Sequence, residues 1–357
     1  MSGGGTPLAE DGETDDEATL CTHPVGRLDG PRPDDGACIP AAPPSPAPYL
    51  DPVYSNLRST PEATPRSYGA APPIDPTVGP NDPYERQLNS AGNEILHIWA
   101  TDPVDNKAEK RPAIIFIHGG GFKVGIGSAY PLLASAKDYA ERGYVLFSIE
   151  YRTDTTSDCQ AVQDYTGDPN DPAYLALRAQ CERGITAAQQ DAQAAVRWVR
   201  RRSAGYRVDP NMIAVGGFSA GAITAANLAY NSDQAGTYAY STEDNPRASS
   251  KIQAAFGSSG CNYDRTTIGA GDAPVSFIHG ELDPLVDYDT CVVPSFRTAR
   301  GAGLVAELTS YCGDRRHAQK LYLAHQVATD KQWTTFLARE LKIYSGMRSP
   351  SAAAFCP

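Results

Sequence analysis

No stretch of this chain strings together the roughly 20 apolar residues that a membrane-crossing helix needs. No Cys-x-x-Cys pair occurs among its eight cysteines, which argues against a zinc ribbon or a thioredoxin-like redox site. Positive charge is short as well: 31 Lys and Arg face 42 Asp and Glu, for a formal net charge of −11. Nothing forms a basic stripe or a polybasic run, so neither a nucleic-acid surface nor attachment to an anionic membrane is expected. Asn-x-Ser/Thr sequons are missing, and no charged-then-apolar signal segment opens the chain. The first five residues read as a start from which such a signal has been removed.

What is present is uneven. Residues 1–50 hold nine acidic and two basic side chains, so most of the excess negative charge lies there and the remainder is nearly balanced. Residues 1–90 are rich in Pro, Gly and acids, with Ala41–Pro48 reading AAPPSPAP. Such a composition cannot bury enough apolar surface to offset the entropy of ordering it, so a largely irregular leader is expected, either a free tail or a segment wrapped onto the domain. The catalytic domain is expected over residues 91–357. The even cysteine count suits a disulfide framework formed outside the reducing cytosol. Together with arginine's excess over lysine, it points to a secreted bacterial protein.

From residue 94 onward, short apolar runs alternate with helical spacing. Strands are expected at Glu94–Ala100, Ala113–His118, Tyr144–Tyr151, Met212–Gly216, Ile252–Phe256, Val275–His279 and Val305–Tyr311. Helices are expected at Ser128–Arg142, Ile185–Arg202, Ala220–Tyr230, Pro294–Gly301 and Lys331–Ile343. That order implies βαβ units and a mostly parallel sheet covered by helices on both faces.

Two glycine-bearing turns carry the chemistry. Gly217-Phe218-Ser219-Ala220-Gly221 follows an apolar strand and opens an alanine-rich helix. A serine in that context sits on a tight strand-to-helix bend with its hydroxyl exposed, as a nucleophile must be. The bland alternative is a small-residue turn for close packing. His118-Gly119-Gly120-Gly121-Phe122 follows the strand AIIFIH. Three successive glycines cost backbone entropy, and an oxyanion hole supplies a reason for them. The amides of Gly120 and Gly121, with that of Ala220, would meet the developing oxyanion, each worth about 3 kcal/mol of transition-state stabilisation. Phe122 and Phe218, inside these turns, are the expected substrate contacts, and His118 is expected to anchor its loop.

IFIHGGGF at Ile115–Phe122, Glu150-Tyr151-Arg152, and the stretch from Asp191 to Gly221 with Trp198, Asp209 and Pro210 resemble the esterase/lipase branch of the α/β-hydrolases. That branch carries an HGGG oxyanion motif and includes hormone-sensitive-lipase-like esterases and small feruloyl and acetylxylan esterases. The likeness covers roughly residues 94–343. It implies the α/β-hydrolase fold, a Ser-Asp-His triad in that chain order, and no metal or other cofactor. Two departures stand out. Thr153-Asp154-Thr155 follows Tyr-Arg, and position 222 is Ala where many relatives have a third glycine. The short connection between the strands at Ile252 and Val275 implies a minimal cap.

Phe277–Val286 resembles the acid-bearing segment of that family and makes Asp283 the candidate acid, with Glu281 and Asp287 as lesser ones. His279 there reads as structural. Two histidines follow: His317 on a loop after the strand Val305–Tyr311, and His325 in a stretch with helical spacing. A triad base belongs on a loop after the last strand, which favours His317. His23 and His97 lack that context.

Thr153–Arg183 is long and polar and is bracketed by Cys159 and Cys181, which are expected to pair and pin a flap. Tyr165, Tyr174 and Leu175 would then reach substrate. A second expected pair is Cys21–Cys38, and Cys261, Cys291, Cys312 and Cys356 are expected to pair near the site's rim. The resulting expectation is a serine carboxylic-ester hydrolase acting on extracellular aryl, acyl-polysaccharide or polyester substrates. The same triad in a peptidase or amidase, and a non-catalytic binding module on the same fold, are the competing readings. No partner beyond the ester substrate is expected.

Overall fold

The structure, a computed structural model, describes residues 47–59, 66–75, 77–78, 86–125, 137–232, 248–344 and 356. Cys21, Cys38 and His23 lie outside them, as does most of the helix expected over Ser128–Arg142, of which residues 137–141 are helical.

Among the described residues nine strands form one sheet: β1 (Leu57–Ser59), β2 (Arg66–Ala71), β3 (Glu94–Pro103), β4 (Arg111–Ile117), β5 (Val145–Ile149), β6 (Val208–Phe218), β7 (Ala254–Ser258), β8 (Val275–Gly280) and β9 (Ala306–Tyr311). The order is β1-β3-β5-β4-β6-β7-β8-β9, with β2 also paired to β3. Every contact from β5 to β9 is parallel, and β3 runs antiparallel to β1, β2 and β5. This is the mostly parallel sheet with helices on both faces that the alternation implies.

The parallel strands read as unbroken apolar runs because both of their faces are covered. In β4 every residue is buried. Ile115 and Ile117 point into the core shared with α2 (Pro172–Arg201), α3 (Ala220–Tyr230) and α4 (Val293–Gly301). Ile114 and Phe116 point into the opposite core, against α5 (Ala318–Ala324) and α6 (Gln326–Glu340).

Several boundaries differ from the sequence pattern. Two strands, β1 and β2, come from the stretch whose composition suggests irregular chain. Both pair with β3, whose other edge is taken by β5. The helix expected from Ile185 begins at Pro172, capped by Asp171, whose carboxylate accepts from Ala173 N. Proline at the first helical position fits that start. The expected flap is therefore largely helical, made of α1 (Cys159–Gln163) and the first turns of α2. The last helix starts at Gln326 and ends at Glu340, and the helix after Asp283 starts at Val293. Between β7 and β8 the chain makes only a single 3-10 turn, Arg265–Thr267, in keeping with a small cap. Among the described residues, no helix is long and apolar enough to cross a membrane.

Candidate active site

Ser219 lies between β6 and α3 with φ 56° and ψ −122°, a left-handed conformation that is costly for a residue with a side chain. Close packing beneath the bend holds it there. A Cβ on Gly221 would fall 2.1 Å from the carbonyl oxygen of Ile117, and one on Gly217 would fall 2.5 Å from the backbone of Gly221. Only glycine fits at either place. Ser219 N–H donates to Ser258 O at 3.0 Å, and Ile223 N–H closes the first turn of α3 onto Ser219 O at 2.9 Å. The methyl of Ala222, at the position where relatives have glycine, fills space left by Gly257 and Gly260: a Cβ on either would sit under 3 Å from it.

His317 ends the loop after β9 and precedes α5. Its Nε2 lies 2.8 Å from Ser219 Oγ, and its Nδ1 lies 2.8 Å from each oxygen of Asp283. The structure thus brings together the serine, acid and base that the sequence singles out, although they are far apart in the chain. Asp283 sits in the loop after β8, 8% exposed. Leu285 N–H and Val286 N–H donate to its Oδ1 at 2.9 and 3.2 Å. Burial alone would raise the Asp283 carboxyl, but the bonds from His317 and Ser259 and the charge of the imidazole hold it below the usual carboxylate range.

The rival acids point elsewhere. Glu281 accepts from Gly313 N–H at 2.6 Å, and Asp287 caps its own turn through Thr290 N–H at 2.7 Å. His325 lies at the junction of α5 and α6 rather than within one helix. Its ring stacks on Tyr311 at 3.6 Å and meets Asp314 at 3.2 Å. His279 is fully buried and donates to Val286 O at 3.0 Å, tying down the acid's loop. His97 pairs with Glu150 at 2.7 Å on the antiparallel side of the sheet.

The glycine triplet meets the serine bend directly. A Cβ on Gly119 would lie 2.9 Å from Phe218 O and 3.2 Å from Ser219 Cβ. Gly120 and Gly121 have φ of 117° and 65°, so both lie in the left-handed region that glycine tolerates. His118 holds the loop from below: its ring stacks on Tyr151 at 4.2 Å and its Nδ1 bonds Gly119 O at 2.7 Å. Burial pushes its pKa down to about 4, so the ring is neutral at pH 7 and donates through Nδ1–H. Gly120, Gly121, Ser219, Ala220 and His317 line one cavity of about 1000 Å³. Ala220 is the first residue of α3, at the positive end of that helix's dipole.

Phe122 and Phe218 also line that cavity, yet only 1% and 4% of each is exposed, so they back its wall. Tyr165, Tyr174 and Leu175 do not line it. The two tyrosines stack on each other at 4.2 Å, and the wall on that side comes from Ser157, Asp158, Cys159 and Gln160. Cys159–Cys181 is bonded and ties α1 to α2. Cys261–Cys291 and Cys312–Cys356 are the other two bridges, flanking the acid loop and the base loop respectively. Two residues absent from the sequence reading belong to the site. Ser259, after β7, bonds Asp283, and Tyr263, 39% exposed, lines the cavity. The pair Ser258-Ser259 at the C-terminal end of a buried parallel strand was the available signal.

Arg152 and Asp191, part of the resemblance, form a buried bidentate pair at 2.9–3.1 Å, reinforced by Arg152 N–H to Asp191 Oδ2 at 2.7 Å. They lock the end of β5 to α2, a structural role behind the glycine loop.

The fold is that of the α/β-hydrolases, and the chain is similar to esterases built on it. A family model, BD-FAE, matches residues 102–166 and 173–263. Gut esterase 1 of Caenorhabditis elegans is 27% identical over 192 residues, which cover 51% of this chain and 30% of that protein. The bile salt-activated lipase of Mus musculus is 28% identical over 148 residues, covering 39% of this chain and 22% of that one. The chain thus spans less than a third of the length of these relatives. Among solved structures, Thermogutta terrifontis esterase 2 phosphonylated by cyclosarin superposes with a TM-score of 0.54 at 20% identity, covering 82% of this chain and 97% of that one. The propionate-bound form of the same esterase gives 0.52 at 23%, covering 76% and 98%. At these identities the structural likeness establishes the fold.

Proposed function

We propose that the protein is a serine carboxylic-ester hydrolase working through Ser219, His317 and Asp283. The observation that carries this reading is the continuous contact Asp283–His317–Ser219, at 2.8 Å on each side of the imidazole. In the mechanism that follows, Ser219 Oγ attacks the ester carbonyl while His317 Nε2 takes its proton. Asp283 accepts Nδ1–H and stabilises the imidazolium. The carbonyl oxygen, now negative, is met by the amides of Gly120, Gly121 and Ala220. Collapse expels the alcohol, which receives the proton from Nε2 and leaves an acyl-Ser219. Water then repeats the sequence and releases the acid.

Three disulfides in the described residues suit an oxidising setting, so the substrate is proposed to lie outside the cell. Aryl, acyl-polysaccharide and polyester esters all fit an open cavity. The test is hydrolysis of p-nitrophenyl acetate by the wild type and by Ser219→Ala. Wild-type turnover and its loss in the variant support the reading. Turnover that survives in Ser219→Ala rejects the mechanism, and absence of turnover on any ester, with hydrolysis of a peptide p-nitroanilide instead, would favour the peptidase.

A further inference from the structure

The cavity around Ser219 is positively charged at its mouth, in a chain whose acids outnumber its bases 42 to 31. Lys123, Arg315, Arg316 and Lys320 line it, against one carboxylate, Asp158. Two of these groups are spent internally. Arg316 pairs with Asp314 at 2.6 Å, and Asp158 caps α1 by accepting from Ala161 N–H at 3.0 Å. Lys123, Arg315 and Lys320 make no ion pair with any described residue. Their places in the chain follow the machinery closely. Arg315 stands two residues before His317 and Lys320 three after it, in the first turn of α5, while Lys123 is two residues beyond Gly121.

We propose that the preferred substrates are esters whose alcohol portion carries a carboxylate, a proposal that rests on the serine-esterase reading above. The alcohol is the part that takes the proton from His317 Nε2, so it must lie against the His317 loop during collapse. That loop presents Arg315, and the first turn of α5 after it presents Lys320. A mouth of like-signed charge with apolar walls focuses its field and draws in an oppositely charged substrate. The apolar wall is there: Phe218, Ile223, Tyr263 and Leu285 line the same cavity. In the reaction the acyl carbon–oxygen bond breaks, water supplies the hydroxyl to the acid and the proton to the alcohol, and the distal carboxylate is unchanged.

The probes are 4-acetoxybenzoate and its neutral methyl ester. They differ in leaving-group acidity, so the quantity read is the ratio of their kcat/KM values, followed across variants and salt. Each of these exposed or half-buried charges contributes about threefold, so Lys123→Gln/Arg315→Gln/Lys320→Gln together lower the ratio about tenfold or more. Raising sodium chloride from about 20 to about 500 mM shortens the screening length and lowers the wild-type ratio similarly, with little effect on the triple variant. Arg315→Lys alone keeps the ratio. A ratio indifferent to the triple substitution and to salt overturns the proposal. Should the triple variant not fold, the salt dependence of the wild-type ratio decides alone. Ser219→Ala separates the two claims. If neutral-ester hydrolysis dies with Ser219 while the ratio stays flat, only the charge proposal fails. If hydrolysis survives Ser219→Ala, the serine reading fails.

Discussion

The hydroxyl of Ser259 donates to Asp283 Oδ2 at 2.6 Å and accepts from the N–H of Ala318, the residue after His317, at 2.7 Å. One fully buried oxygen thus spans the acid and the backbone of the base. The neighbouring Ser258 Oγ donates to Ala318 O at 2.9 Å, so two consecutive serines grip both polar groups of that residue. Ser259 and Ala318 both have positive φ, 59° and 47°, a strain tolerated where the surroundings over-determine the backbone. Ser259 is therefore a positioning residue. Ser259→Ala leaves an unpaired buried N–H and a less constrained carboxylate, and is expected to lower kcat about tenfold to a hundredfold with KM little changed. Steady-state kinetics beside a thermal melt make the check. A lower melting temperature with kcat intact would assign Ser259 to stability alone.

The two histidines after β9 should separate cleanly. His317→Ala removes the only imidazole touching Ser219 among the described residues, and is expected to cost at least about a thousandfold in kcat. His325 contacts Asp314 and Tyr311, which brace the base loop from behind. His325→Ala is expected to change kcat by no more than about threefold, since its part-buried pair with Asp314 touches neither Ser219 nor Asp283. If His325→Ala is the inactive variant, the base has been misassigned.

Gly120 and Gly121 should respond differently to alanine. At Gly120 the added carbon would meet Val124 O at 1.8 Å, with φ at 117°. The loop must rebuild, so Gly120→Ala is expected to lose activity and more than about 2 kcal/mol of stability. At Gly121 nothing lies within 4 Å of the new carbon, and only the φ of 65° resists it. Gly121→Ala is expected to fold, at a cost of about 1 kcal/mol. Chemical denaturation of both variants, with ester turnover in parallel, tests the contrast. Equal behaviour would remove the packing argument for the loop.

Glu94 makes stability fall as pH rises. It is 2% exposed at the start of β3, and burial, with the nearby charge of Asp191, pushes its pKa up to about 8 from 4.5, despite Arg86 and Arg152. Between those two values the folded state holds a proton that the unfolded chain has released. Stability then declines with pH through that window, by at most about 1.4 kcal/mol per unit, and levels off above it. Glu94→Gln keeps the shape without the titration, so it is expected to flatten the decline and to be the more stable protein above pH 8. Urea unfolding at about pH 5, 7 and 9 gives the comparison. Parallel curves for the two proteins would exclude Glu94 as the cause.

Much of the fold could be read from the sequence, because a parallel strand buried on both faces writes itself as an apolar run. β4, β5, β8 and β9 were each expected within one or two residues of their ends. The serine bend and the glycine loop were readable for a similar local reason: their steric demands fall on residues adjacent in the chain, so Gly217, Ser219 and Gly221 announce the turn together. The start of α2 at Pro172 was written locally too, in Asp171-Pro172, but polar composition masked it. The strands β1 and β2 could not be read, since their stability comes from pairing with β3 rather than from their own pattern.

By itself, the amino-acid order determined where backbone had to bend sharply and which runs had to be buried, since both follow from sterics and hydrophobicity over a few neighbouring residues. Tertiary structure alone decided which histidine faces Ser219, which acid faces that histidine, and that Ser259 joins them. It also decided that Lys123, from the glycine loop, shares one cavity with Arg315 and Lys320, which flank His317. Those are relations between positions tens of residues apart, and distance in space between such positions is fixed only when the whole sheet has closed its register.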